Sequence, residues 1–544
     1  MVKKVLILGG GFGGVFTAKK LIKQKSIQLD IELISNNNYF IFQPLLPEVA
    51  SGTISESDAV TPLRELLKGI KFRHAEVSKI DVNNRTVSVV QGYRKRSHLL
   101  KFDHLVVALG QESNLDIVPG LRDHSFTIRN LKDAYNLRNH IISCLELADV
   151  TEDLTLKNRL LKFVVVGGGF SGVETIGEIK EMVDRLLIYY PNICNKDLSF
   201  YIVESSNRLL PELTPSISKY ISKVFLEEKI KIYSRTKLKE ITGTSVYLEN
   251  GETIPSGTTI STIGSVVSKL IKNSSLPLDR GKIITNEFLQ VSKLNNVWAL
   301  GDSALVKNKI SKKIAAFAPP TAQFAVREAK LVAKNILAFE KKEKLNTFSY
   351  KSLGSLASLG SRKGVGKILF FTIKGFSAWL IWRLFYLSFL PSFSTKARIL
   401  FSWILELLVP RNAVMTAPFK TNSVKYQYYK KDDVVFEEGM VADGFYIVIR
   451  GLFKNTYKKT KSGTDFTKLY KKGEHFGSRA ILSGIRRTGT IIALKDSKVL
   501  RVDRESFQLL SKDFEVLRNY FDKYLDRNFE KLDLINEEIL PKKK

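Results

Sequence analysis

Two glycine runs carry the clearest chemistry in the chain: Gly9-Gly10-Gly11-Phe12-Gly13-Gly14 and Gly167-Gly168-Gly169-Phe170-Ser171-Gly172. Each follows a short apolar run, Val5-Leu6-Ile7-Leu8 or Phe163-Val164-Val165-Val166, and each opens a helical pattern. In such a strand, turn and helix, Gly9 makes the tight turn, Gly11 lets a pyrophosphate reach the backbone and Gly14 lets the helix pack on the strand; Gly167, Gly169 and Gly172 repeat these roles. The helix N-terminus adds free N–H groups and a positive dipole. One such turn is weak evidence. Two in register point to two dinucleotide sites, a flavin dinucleotide in one fold and a nicotinamide dinucleotide in the other, placed for hydride transfer.

Where the first copy has Val15-Phe16-Thr17, the second has Val173-Glu174-Thr175. An acid in a first helical turn is favoured by the helix dipole, by about 0.3–1 kcal/mol, so Glu174 reads either as that or as a proton-bearing group. The strand Leu198 to Glu204 ends in an acid that can bond a ribose and repel a 2′-phosphate, favouring NADH over NADPH; Arg208 nearby reads as a surface guanidinium. The corresponding first-fold strand, Ile31 to Ser35, ends in Ser35-Asn36-Asn37-Asn38, where only a hydroxyl or amide can serve the ribose. A third acid, Asp302, follows Gly301 at the end of Asn296 to Ala299, placed to bond a ribityl hydroxyl.

The elements around these residues follow from the pattern. Asn38 to Ala50, with Gln43, is too broken by proline for a long element and too apolar for a solvent loop. Phe102 to Gly110 is a strand ending in a small-residue turn, Ala108 to Gly110, where the chain can cross between folds. Lys132 to Leu147 is helical, and 151–158 is a polar connection. Pro319-Pro320-Thr321 opens a helix holding Ala322 and Gln323, whose neutral amide can bond a carbonyl without burying charge. Lys367 to Phe393, rich in Trp379, Trp382, Phe385 and Tyr386, and a second helix from Ile399 to Val409 lack a clean span of about 20 apolar residues. They read as helices in a membrane interface, aromatics at headgroup depth and cations outward. A net +7 between Lys351 and Pro410, eight cations against Glu406, favours anionic lipid. A buried hairpin, a dimer interface and one true span stay open.

With 544 residues, 44% hydrophobic and 26% charged, the chain is globular and long enough for three or four domains. Its +31 charge suits an anionic surface. Cys144 and Cys194, without a CxxC, exclude a disulfide framework and a cysteine relay. The opening residues read as mature strand rather than a signal peptide, because a glycine turn interrupts the apolar run.

The first glycine turn, the NYFIFQPLLPEVASG stretch, the second turn with GVE, ALGD and PPTAQ together resemble the type II NADH dehydrogenases over roughly Lys3 to Pro410. The resemblance implies an α/β protein with a nicotinamide domain inserted in a flavin domain, FAD as cofactor, NADH as co-substrate, a quinone acceptor and no metal. Glu174 and Gln323 become the catalytic candidates. Gly9, Gly11, Phe12, Gly13, Gly14, Ser35, Gln43, Ala108, Gly110, Gly167, Gly169, Gly172, Glu204, Gly264, Gly301, Asp302 and Ala322 become the cofactor-binding ones. From Lys425 onward, short strands with FGSRAIL and RRTGTI resemble a cyclic nucleotide-binding β-roll. Arg487 stands at that family's phosphate arginine, but Ser478 replaces the glutamate that bonds the ribose. Cyclic nucleotide binding therefore competes with a degenerate regulatory, docking or oligomerisation role.

The expected organisation is a flavin domain at 1–159 and 271–350, an NAD(H) domain at 160–270, amphipathic membrane-anchoring helices at 351–412, a β-roll at 420–512 and a helical charged tail at 513–544. The expected setting is the cytoplasmic face of the cell membrane, peripheral, as monomer or homodimer, without proton pumping. No helix-turn-helix follows the β-roll, so nucleic acid is not an expected partner. The rivals are a redox-sensing regulatory protein and a flavin-dependent quinone reductase with another donor.

Overall fold

The run Val5 to Leu8 is buried on both sides because its strand, Lys3–Leu8, is the centre of a parallel sheet. The order across that sheet is Val297–Ala299, His104–Val107, Lys3–Leu8, Leu29–Ser35 and Lys71–His74. A second parallel sheet runs Ile230–Tyr233, Ser199–Val203, Lys162–Val166 and Thr258–Ser261. Helix α1 (Phe12–Ile22) follows the first glycine turn, helix α2 (Phe170–Leu186) the second, and α3 (Ala322–Glu340) packs along α1. The computed structural model describes residues 2–24, 27–92, 95–309, 317–409, 411–415, 423–457, 466–514, 516–517 and 519–521.

These described residues form two compact units, one of 2–117, 126–237 and 260–414, the other of 118–125, 238–259 and the residues from 415 on. In the first unit, one apolar core runs continuously beneath both parallel sheets. The chain crosses between the two folds where Glu112–Ser113 pairs antiparallel with Ser265–Val266, and Asn114 N donates to Gly264 O at 2.7 Å.

Three expectations change. The segment 351–412 is not helical throughout: Gly354–Ser358, Gly364–Ile368 and Phe371–Lys374 form an antiparallel sheet before α4 (Gly375–Phe389) and α5 (Phe393–Leu408). Phe371-Thr372-Ile373 is β-prone, and Leu369 at φ 51° turns the hairpin, so the apolar run begins as a strand. The connection at 151–158 contains a helix, Leu154–Leu160, because Asp153 caps it by accepting from the N–H groups of Thr155 and Leu156. Residues 238–259, expected in the nicotinamide domain, belong to the second unit.

The second unit explains that last change. Its β-roll has two four-stranded sheets, one of Val424–Tyr429, Ser497–Asp503, Gly444–Arg450 and His475–Phe476, the other of Val434–Phe436, Thr490–Ala493, Leu452–Tyr457 and Phe466–Lys471. Phe436, Tyr446, Phe453, Tyr470 and Phe476 fill the core between them. The small sheet Leu238–Ile241, Ser245–Leu248 and Thr253–Pro255 joins the roll through Lys430, whose Nζ meets Glu240 Oε2 at 2.6 Å and lies over the Tyr247 ring. Nearby, Tyr428 N donates to His124 Nε2 at 3.1 Å. Burial, helped by Lys425, pushes His124 down to about 3, so it stays neutral and accepts. A helix, Arg504–Asp513, capped by Asp503, follows the roll; the tail expected at 513–544 lies outside the described residues beyond Phe521.

Candidate functional site

The first glycine turn is shaped by close approaches. A Cβ on Gly9 (φ +112°) would sit 2.3 Å from Ala108 O, and one on Gly14 would sit 1.9 Å from Gly9 O. At Gly11 the same test finds open space. Helix α1 has no side-chain cap, so its first N–H groups remain available at the one glycine of this turn with room in front of it. Gly13 lies against Ala108 and Leu300, and Gly10 against the Ser35 hydroxyl, so Ser35, Ala108 and the strand before Gly301 converge on this turn. Gly110 and Gly301 both take positive φ. The arrangement fits a flavin dinucleotide's pyrophosphate.

Side chains qualify that picture. The Phe12 ring packs edge-on against Phe40 and Phe42, at 5.0 and 5.4 Å, leaving only its backbone N–H for a ligand. Gln43 is exposed, and its Nε2 donates to Arg129 O at 3.4 Å. Burial raises Asp302 despite Lys282 and Arg129 nearby. Glu328, on α3, accepts from Gly301 N at 2.7 Å; burial pushes it up to about 7 against that hydrogen bond. The sequence did not single out Glu328, because an acid in mid-helix ordinarily faces water.

The second turn repeats the first. Gly167 (φ +111°) is crowded by Thr262 and Ile263, a Gly172 Cβ would meet Gly167 O at 1.8 Å, and Gly169 again faces open space at an uncapped helix. Glu204 ends its strand with Oε2 accepting from Gly168 N and Oε1 from Ser206 N, both at 2.6 Å. Burial would raise Glu204, but these N–H groups outweigh it and hold the carboxylate charged. Arg208 is occupied, its Nη2 donating to Pro211 O and Leu213 O. Gly264, at φ +72°, is the crossing glycine.

Glu174 is buried rather than facing solvent. Its Oε1 accepts from Trp382 Nε1 at 2.9 Å and from Ser358 N at 3.2 Å. Burial pushes it up to about 8, against these two bonds. It is therefore a neutral acid near pH 7, able to give a proton. On α3, which begins at Ala322, Gln323 Oε1 accepts from Tyr350 OH at 2.9 Å and Ser352 Oγ at 3.1 Å. That fixes the amide and leaves its N–H₂ to face an acceptor.

Two expectations about 351–412 are corrected by the side chains. Trp379, Trp382 and Trp403 turn inward, and Arg383 is buried, its Nη2 meeting Glu406 Oε2 at 2.8 Å and Glu48 Oε1 at 3.3 Å. Buried carboxyls on α2, α5 and the short helix Leu46–Ala50 give the indoles and the guanidinium better partners than water offers. The outward residues are instead aliphatic groups and phenylalanines: Phe370 (81% exposed), Phe371, Phe376, Leu384, Phe393 (85%), Phe401 and Leu408. Among the described residues, no helix is long and apolar enough to cross a membrane.

In the β-roll, Arg487 is buried and held by the protein's own acceptors. Nη1 donates to Gly477 O, Nη2 to Gly444 O and Asp443 Oδ1 at 2.7 and 2.9 Å, and the guanidinium lies 4.0 Å from the Phe436 ring centroid. Asp443 also accepts from Arg501 at 3.0 Å. The adjoining concavity, ≈ 390 Å³, is lined by Phe436, Tyr457, Tyr470, Ser478, Arg479 and Arg487 among others. Drawing Arg487 outward would cost its bonds to Gly477, Gly444 and Asp443.

Comparison with known proteins agrees with this geometry. Residues 3–329 match the pyridine nucleotide-disulphide oxidoreductase family, 352–412 the NDH2 C-terminal domain and 426–513 the cyclic nucleotide-binding domain. A probable NADH dehydrogenase of Dictyostelium discoideum is 32% identical over 421 residues, covering 75% of this chain and 90% of that protein. A type II NADH:quinone oxidoreductase of Staphylococcus aureus is 31% identical, over 67% of this chain and 90% of its own. The structure of NDH2 from Plasmodium falciparum in complex with NADH superposes with a TM-score of 0.70 at 22% identity, over 76% of this chain and all of that one. Two dinucleotide folds sharing one core, followed by an NDH2 C-terminal segment, make this chain a member of the type II NADH:quinone oxidoreductases within the pyridine nucleotide-disulphide oxidoreductase family, extended by a cyclic nucleotide-binding domain.

Proposed function

We propose that the protein oxidises NADH and reduces a quinone at a membrane surface, with FAD held at the first glycine turn. The observation that carries the reading is Glu174: a neutral, buried carboxylic acid one turn into the helix whose N-terminus would hold NADH. FAD, when bound, accepts hydride from NADH and passes electrons on; the protein supplies binding, orientation and a proton. Gly9, Gly11, Gly13 and Gly14, with the Phe12 N–H, Ser35, Ala108 and Gly110, receive the flavin's adenosine diphosphate half. Gly301, Asp302 and Ala322 border its flavin half, and Gln43 lies at the rim. Gly167, Gly169, Gly172 and Gly264 receive NADH, and charged Glu204 disfavours a 2′-phosphate. Gln323 offers its N–H₂ to a quinone carbonyl, and Glu174 the proton.

The exposed apolar face of α4, α5 and the Phe370-Phe371 turn supports seating in a lipid interface, with Lys374 and Arg398 exposed beside it. In the β-roll the closed Arg487–Asp443 pair supports a docking or regulatory role over tight cyclic nucleotide binding. The deciding experiment is NADH oxidation by FAD-loaded protein with a short-chain quinone, with NADPH as comparison and cyclic AMP present or absent. Fast NADH turnover indifferent to cyclic AMP is expected. Flavin that binds yet is never bleached by NADH would sink the enzyme reading and favour a sensor.

A further inference from the structure

Behind Glu174 lies a buried polar cluster that the reaction as described does not use. Glu174, Glu178 and Glu181 share one face of α2 at i, i+4 and i+7, all buried; Glu48 and Glu406 join them from Leu46–Ala50 and α5. Three guanidiniums answer these five carboxyls. Arg383 pairs with Glu48 and Glu406, while Arg185 pairs with Glu181 at 2.5 Å and Glu406 at 3.6 Å. Arg411 Nη2 meets Glu406 at 2.9 Å, Glu181 at 3.3 Å and Glu178 only at 3.7 Å.

The charge count decides what this means. Five carboxylates against three guanidiniums would leave two uncompensated negative charges in an apolar interior, which costs several kcal/mol each. Two carboxyls must therefore keep their protons. The partners say which two: Glu174 has no cation, only an indole and an amide N–H, and Glu178 has hydroxyl donors, Ser51 Oγ at 2.9 Å and Thr53 Oγ1 at 3.4 Å, besides the distant Arg411. Burial pushes both to about 8, Glu181 further raising Glu178 and Arg411 lowering it. The other titratable groups facing Glu174 are Tyr386, which burial keeps neutral, and Glu48, which burial raises against Arg383 and the Trp403 hydrogen bond. Arg138 approaches from beside Gly52, its Nη2 held by Asn412 O. Arg411, nine-tenths buried, keeps Nε and Nη1 without a protein acceptor inside the cluster, donors of the kind that buried water satisfies. Among the described residues no acidic group is arranged to hold a metal.

We propose that Glu178 is the proton reserve behind Glu174 in the quinone step, refilled from solvent past Arg411 and Glu181. This rests on the quinone reading above. The overall change, NADH + H⁺ + quinone → NAD⁺ + quinol, takes both electrons and one hydrogen from NADH and one proton from solvent. As the quinol O–H forms, the Glu174 O–H breaks; the Glu178 O–H then breaks as that of Glu174 re-forms, and water returns a proton to Glu178. Glu178 touches neither cofactor nor quinone, so it is a positioning and supply residue.

The test uses FAD-loaded full-length protein. Glu178→Gln keeps the Ser51 bond but carries no exchangeable acid proton. Its quinone-driven flavin reoxidation is expected to slow about tenfold or more, with a larger effect there than on bleaching by NADH. The alkaline fall of the wild-type reoxidation rate, to which Glu174 and Glu178 both contribute near pH 8, should become shallower, the Glu174 step alone remaining. Independently of turnover, infrared spectra of the wild type at neutral pH should show protonated-carboxyl absorption that titrates near pH 8 and is reduced in Glu178→Gln. Reoxidation with the wild-type rate and pH profile overturns the proposal, as does an unchanged carboxyl band. Should Glu178→Gln fail to hold FAD, the wild-type titration decides: no protonated carboxyl at neutral pH overturns it. Absence of NADH:quinone turnover in the wild type fails the parent reading instead.

Discussion

At the scale of residues, Glu174 was visible because the two glycine-turn copies could be compared and Phe16 had become an acid; its depth was not, because a carboxylate near a helix N-terminus normally faces water. Glu178, Glu181 and Glu48 were invisible for the same reason, since their covering elements lie more than a hundred residues away. Arg487 could be read from its motif, but the sequence could not show that Asp443 holds it inward. Because burial raises Glu174 and Glu178 above their unfolded values, the folded protein binds extra protons between about pH 4.5 and 8. Their stabilising contribution is complete below the lower value and lost as pH rises through the upper one. Melting temperature should therefore fall from about pH 5 to 8.5, and the slope should flatten in Glu174→Gln, checked by calorimetry across that range. Trp382→Phe removes the donor to Glu174 Oε1, so the alkaline limb of quinone reduction should move to higher pH, with FAD content as the control for folding.

Among the elements, the parallel strands and both turn helices followed from apolar runs bounded by glycine, since each needed only local pattern. The strands within 354–374 did not, because a strand of phenylalanine and isoleucine reads like part of an interfacial helix until its hairpin partner is known. One contact fixes this sheet on α2: a Cβ on Gly177 would lie 2.4 Å from Leu359 O, and that on Gly360 2.3 Å from Gly177 O. Gly177→Ala should cost about 1–3 kcal/mol through overpacking, measured as a drop in the chemical-denaturation midpoint, and loosen the Ser358 N–H from Glu174. On α5, Phe401→Asp with Ile404→Asp should abolish flotation with anionic vesicles, since both side chains are exposed. Unchanged flotation would show that another surface carries attachment.

At the scale of the molecule, composition and repeats announced several domains but could not assign residues 238–259, which interrupt one fold in sequence and belong with another in space. Cyclic AMP should leave the melting temperature of the full-length protein unchanged, because a ligand stabilises only in proportion to its occupancy and Arg487 is already spent on Asp443. A clear upward shift would show the pair opening. The hairpin that meets Lys430 and the His124 that receives Tyr428 have a consequence for biosynthesis. Both leave the ribosome well before the strands they complement, so the growing chain carries an unmated ledge through much of translation. The C-terminal roll is consequently no detachable cassette. Expressed alone from residue 415, it should melt lower than within the whole chain, and a chain stopped at 414 should be the one that recruits chaperones.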